Sequence, residues 1–225
     1  MVEMLVVVAI LLFLAFIFLA FMFLPRFAKA AQARAFSDID CCGNLKQINL
    51  SFLLWAGDNN NKFPMEVSVA NGGAKELIAT GNVAACFQIM SNELSTPKIL
   101  VCPADYNRVS ATDFGNDFNT SHISYFIGVD ADTNYPQRFL SGDDNFQMNG
   151  SVVKSGLLQY PTHTPITWGP GRHGDVPVHH FWTPKQQVFF GNIGFADGSV
   201  SELSSAGLQE SFLLSGMATN RLAIP

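Results

Sequence analysis

The chain has 225 residues, a net charge of −5 from 13 basic and 18 acidic side chains, and a hydrophobic fraction of 48%. With so few cations there is no electrostatic footprint for nucleic acid. Once an apolar N-terminal stretch is set aside, the remaining residues make one globular domain of ordinary size.

That stretch runs from Met4 to Leu24, 21 consecutive apolar residues with no charge, Pro or Gly. As an α-helix it would reach about 30 Å, the thickness of a bilayer's hydrocarbon core, so the sequence predicts a transmembrane or filament-core helix. Glu3 stands before it; Pro25, Arg26, Lys29 and Arg34 follow. The run exceeds a usual signal-peptide core and no basic residue precedes it, although Ala28, Ala30 and Ala31 resemble a cleavage site. All nearby positive charge lies on the C-terminal side, which by the positive-inside rule would put the body in the cytoplasm. The body itself, loop-rich and bearing Cys41, Cys42, Cys86 and Cys102, reads as extracytoplasmic. A basic leader upstream of Met1 would reconcile the two.

From Phe27 to Trp55 the helix is expected to continue. Ala28 to Ala35 are strong helix formers. Cys41, Leu45, Ile48, Phe52 and Trp55 then recur at helical spacing as one apolar stripe. Pro25 is expected to kink the helix, Ser37-Asp38 marks a local break or fresh N-cap, and Gly57-Asp58-Asn59 is the stop. The whole reads as a single helix of about 50 residues, roughly 75–80 Å long. Beyond it, residues 74–79 and 83–94 read as short helices and 99–102 as a buried strand ended by Pro103. Residues 123–129, 152–159, 187–190, 192–195 and 199–203 are further strands, and 208–214 a last helix. Ala196-Asp197-Gly198 between two apolar runs predicts a hairpin with a two-residue turn at Asp197-Gly198.

With these residues in view the chain resembles the type IV pilins and the pseudopilins of type II secretion. More narrowly it is similar to prepilin-type proteins abundant in Verrucomicrobia and Planctomycetes. The similarity rests on Val2-Glu3-Met4-Leu5, Asn44-Leu45-Lys46-Gln47-Ile48, Trp55-Ala56-Gly57-Asp58-Asn59, Leu100-Val101-Cys102-Pro103-Ala104-Asp105, residues 191–200 and residues 220–225. It departs from the family in lacking the leader with its cleavage site, in a longer and Phe-rich apolar run, and in Gln187 where a subset of the family carries His.

The resemblance implies an α+β pilin fold. A long N-terminal helix (1–57), membrane-spanning over 4–24 and packed under the head in its second half, carries a small antiparallel-sheet, loop-rich head (58–225). It implies a structural subunit, not an enzyme, stored in the inner membrane as a single-pass protein. The subunit would then assemble with copies of itself and with other pilins into a periplasmic or cell-surface filament. Glu3 would pair with a neighbour's N-terminal amine and set axial register. A Cys41–Cys102 disulfide would staple helix to head, with Cys42–Cys86 as a weaker second pair. Major pseudopilins hold Ca²⁺ in a head loop, which makes Asp143, Asp144 and Asp197 candidate ligands, although no EF-hand spacing is present and solvated turns explain them as well.

His163, His173, His179 and His180 lie within 18 residues and could serve Zn²⁺, Cu²⁺ or haem iron, or be a plain surface loop. The alternative function is accordingly a monomeric, single-span, membrane-anchored protein that binds a ligand or metal outside the cytoplasm. No Ser/His/Asp, Walker or dinucleotide motif is present.

Overall fold

The computed structural model describes residues 2–170, 172–178 and 186–225, with side chains described except at 2–3, 20–38, 174–178 and 186–188. Helix α1 (Val2–Asp58) takes the whole N-terminal region and runs unbroken through Ser37-Asp38 and Gly43. The side chains at Glu3 and Pro25 lie outside the described residues, and with them the register and kink expectations. The chain divides into two compact units, Met1–Ile39 and Asp40–Pro225, so residues 40–58 of α1 belong with the head.

The expected membrane-spanning half is corrected here. Among the described residues no helix is long and apolar enough to cross a membrane.

In the head, α2 (Lys75–Ile78), α3 (Val83–Ile89) and α4 (Ser91–Leu94) are short helices. The single helix expected over 83–94 is thus two. Pro97–Leu100 forms a 3₁₀ turn where a strand was expected. Its start is set by Thr96, whose hydroxyl accepts from the Lys98 N–H, and by Pro97 in the first turn, where its missing N–H is harmless.

The strands follow as β1 (Tyr125–Gly128), β2 (Phe139–Asp143), β3 (Phe146–Met148), β4 (Ser151–Val152), β5 (Gly156–Pro161), β6 (Ile166–Trp168), β7 (His173–Val178), β8 (Gln186–Phe195) and β9 (Val200–Ser204). Helix α5 (Ser205–Leu214) and β10 (Thr219–Ile224) close the chain. The sheet is not small. An antiparallel path of six strands runs β5-β10-β1-β2-β8-β7, with β9 added on β8, and β4-β3-β6 form a second sheet.

The main sheet divides two cores by simple alternation. Along β1, Tyr125 and Ile127 face one cluster and Phe126 the other; on β2, Leu140 and Phe139 part the same way. The first cluster holds the α1 stripe, with Cys41, Leu45, Ile48 and Phe52 fully buried. Phe52 meets Phe63 edge-on at 6.1 Å, a favoured aromatic geometry. The second cluster lies under α5 and the small sheet, through Leu208, Phe212, Ile166 and Trp168.

The Asp-Gly hairpin forms, but with a longer turn. Gly194 pairs with Val200, the Phe195 N–H donates to Ser199 O, and of the two expected turn residues only Gly198 has positive φ, at 88°. Asp197 instead accepts from the Ser199 N–H and hydroxyl, closing an Asx turn. Beneath this turn sits Asn49, a fully buried amide on α1. Its Nδ2 donates to Phe195 O (3.4 Å) and Ser199 O (3.3 Å), and its Oδ1 accepts from Ser141 Oγ at 2.6 Å. One amide thus ties the helix to two strands, and it has room only because residue 194 is Gly. A Cβ there would lie 2.3 Å from Asn49 Nδ2.

Gly194→Ala is therefore expected to destabilise the head by about 1–3 kcal/mol through overpacking against a buried amide. Chemical denaturation of the two proteins measures it; an unchanged midpoint would mean that Asn49 can move away freely.

Candidate functional site

Two features stand out: the apolar surface of α1 in the first unit, and a buried charged corner in the second.

Over residues 4–19 the described side chains of α1 are exposed on every face. Leu11, Leu12, Phe13 and Leu14 are consecutive and 54–67% exposed; Met4 and Phe16 reach 75% and 70%. Successive residues on a helix are 100° apart, so this is an apolar coat, not a stripe.

The charged corner is built by strand pairing. Ile193 of β8 is paired with Gly142 of β2 and with Ser201 of β9, while Phe190 is paired with His173 of β7 and Ser204 of β9. Hence β9 takes one edge of β8, and β2 and β7 share the other in succession. At their junction the end of β2, Asp143, meets the start of β7, His173, beside Asn192. The Asn192 N–H donates to Asp143 Oδ2 at 2.7 Å and its Nδ2 at 3.1 Å. His173 Nε2 lies 3.3 Å from the same oxygen and 3.5 Å from Cys102 Sγ. Asp143, His173 and Asn192 are all buried.

Next to them Arg172 Nη2 contacts Asp105 Oδ2 and Asp144 Oδ1, both at 2.5 Å, and its Nη1 donates to Ser124 O at 2.8 Å. Arg108 closes the ring at 2.7 Å from Asp144 and 3.2 Å from Asp105. The turn that starts at Cys102, closed by the Asp105 N–H to Cys102 O, delivers one residue to each part of this corner. Cys102 is bonded to Cys41 of α1, and Asp105 is bonded to the arginines.

Burial opposes the charge on Asp143, but the hydrogen bond and charge of His173, the charge of Arg172 and the Asn192 N–H outweigh it, holding the carboxyl below its usual range. Burial alone pushes the Cys86 thiol up to about 12, which keeps it protonated and unreactive.

The expected sites fall out as follows. Cys41 and Cys102 form the disulfide that the family resemblance implied. Cys42 and Cys86 are both free, which corrects the weaker pairing: Cys86 is sealed in the first core on α3, and Cys42, one residue round the helix from Cys41, is only half-buried. Among the described residues Asp143, Asp144 and Asp197 do not form one metal-ligand group. Asp143 and Asp144 lie against Arg172, Arg108 and His173, while Asp197 bonds within its own turn. His163 is exposed and His173 buried, so these two are not one loop site; His179 and His180 lie outside the described residues. Among the described residues the one grouping of three metal-ligand atoms is Cys41, Cys102 and His173.

Sequence reasoning missed Asp105, Arg172 and Asn192. Asp105 and Asn192 sit inside motifs that carried the resemblance, yet nothing in their spacing shows that they share a corner. No protein-family model, curated protein or solved structure matches this chain.

Arg172→Ala should cost roughly 3–5 kcal/mol of head stability, because it leaves buried carboxylates without their counter-charge; urea unfolding checks it. The pH dependence has a definite sign. A carboxyl whose pKa is lowered on folding stabilises the head above the unfolded value of about 3.9, and that stability is lost as pH falls through the lower folded value. Thermal unfolding should therefore steepen in its pH dependence below about pH 4, and Asp143→Asn should flatten that limb. An identical limb in both proteins would assign the acid response elsewhere.

Proposed function

We propose that the chain is a structural subunit of a filament of the type IV pilin or pseudopilin kind, assembled by lateral packing of α1 helices from many copies. The observation that carries this is the all-round apolar coat of residues 4–19. A helix with one apolar stripe is satisfied by one partner; a helix apolar on all faces must be surrounded. Monomeric proteins rarely expose contiguous apolar surface beyond a few hundred Å². Each Leu, Ile or Phe removed from water contributes about 1.5–3 kcal/mol, so a bundle core is a strong driving force. Head-to-tail contacts that do not close generate an open helical assembly. The resemblance of Val2-Glu3-Met4-Leu5 and of the head motifs supports the same reading, with Glu3 as the register residue. The Cys41–Cys102 bond supports a location outside the cytoplasm, where disulfides persist.

Electron microscopy and sedimentation of the full-length chain test this. The wild type is expected to form filaments of regular helical repeat. Leu12→Lys should abolish them, because a charge in a packed helix core has no partner there, while the unfolding transition of the head stays unchanged. Glu3→Ala should lower filament yield without affecting the head. A wild-type chain that remains monomeric would overturn the proposal and favour a solitary binding protein.

A further inference from the structure

The buried corner sets His173 beside the two sulfurs of the disulfide, a grouping that the filament reading does not use. We propose that reducing the Cys41–Cys102 bond converts this corner into a tetrahedral Zn²⁺ site, with Cys41 Sγ, Cys102 Sγ and His173 Nε2 as the protein ligands and water in the fourth position. These three protein atoms already lie within 4.8 Å of one another, and their residues are 0–1% exposed. The spacing suits the ion. Zn–S of about 2.3 Å and Zn–N of about 2.05 Å place tetrahedral sulfur and nitrogen about 3.6 Å apart. The separation of Cys102 Sγ and His173 Nε2 is 3.5 Å. Asp143 Oδ2, held by two Asn192 donors, lies 3.3 Å from His173 Nε2 and orients the ring from outside the ligand set.

The chemistry balances with a two-electron reductant of the dithiol or phosphine class. With a phosphine, the disulfide, one phosphine and one water give two thiols and a phosphine oxide. Each thiol then loses its proton to solvent as the ion binds. Charge selects the metal-bound form. Asp105, Asp143 and Asp144 already outnumber Arg108 and Arg172 by one. Two buried thiolates would add two more negative charges, and Zn²⁺ cancels them. A mixed sulfur, nitrogen and oxygen set of four is also what Zn²⁺ prefers. The ion would hold α1 to the segment after residue 100 whenever the covalent bond is open, so the same tether exists in both redox states.

The test uses the full-length chain in mild detergent, reduced with a phosphine and titrated with Zn²⁺ or Co²⁺. One ion per chain is expected. Co²⁺ should show the visible bands of tetrahedral coordination with thiolate charge transfer, and Zn²⁺ should raise the unfolding temperature of the reduced chain. The oxidised chain should do none of these. Cys42→Ser should bind as the wild type does, whereas His173→Gln should weaken binding by at least about tenfold. X-ray absorption of the wild-type zinc complex, expected to show two sulfur and two nitrogen or oxygen neighbours, serves if His173→Gln does not fold. A reduced chain that takes up no Zn²⁺, an oxidised chain that binds it equally, or a wild-type complex without two sulfurs would each overturn the proposal. None of these outcomes bears on filament formation, which is read separately.

Discussion

Burial of one helical stripe organises the head. Cys41, Leu45, Ile48, Phe52 and Trp55 of α1 are 0–6% exposed, and the first core is packed around them. Each large apolar side chain among them contributes about 1.5–3 kcal/mol on leaving water, more than a typical neutral hydrogen bond adds. The stripe sets where the sheet lies, since Ile127, Leu140 and Ala223 are the strand residues that alternate toward it. Once those face the helix, Phe126, Phe139 and Leu222 must face the other way, and α5 with the small sheet covers them.

Polar atoms inside this packing refine it. Asn49 is the sharpest case, because a fully buried amide on a helix would cost several kcal/mol if its donors and acceptor were unmet. Its bonds to Phe195 O, Ser199 O and Ser141 fix the height of the hairpin against the helix, which apolar contact alone does not do. The disulfide adds a second fixed point on α1, about two helical turns away. The loop it closes spans 61 residues, for which the chain-entropy model gives roughly 4 kcal/mol.

The charged corner follows from the sheet's edge geometry. Two strands that share one edge of β8 leave a gap where they meet, and unpaired backbone in a buried gap needs partners. Asp143 supplies one to the Asn192 N–H, which brings a carboxylate inside. That charge in turn needs donors and counter-charge, and Arg172 and His173, at the start of β7, are adjacent by topology. Asp143 and Asp144, read in the sequence as calcium candidates, thus lie against the protein's own basic side chains.

Local chemistry made several parts of this legible in the sequence. The α1 stripe has helical spacing, β1 and β9 are short apolar or alternating runs, and Gly198 is needed for a positive φ, so each is fixed by residues close together in the chain. Boundaries and partners were not legible. Residues 99–102 are as apolar as a strand but follow Thr96-Pro97, and the cap won over the composition. Strands β2, β3, β6, β7 and β10 were not anticipated, being short or interrupted by polar residues that only cross-strand pairing rewards. Asp105, Asp143, Arg172 and Asn192 span nearly ninety positions, and no periodicity joins them. Their meeting depends on which strands share an edge of β8, and that is decided only when the sheet closes against the helix.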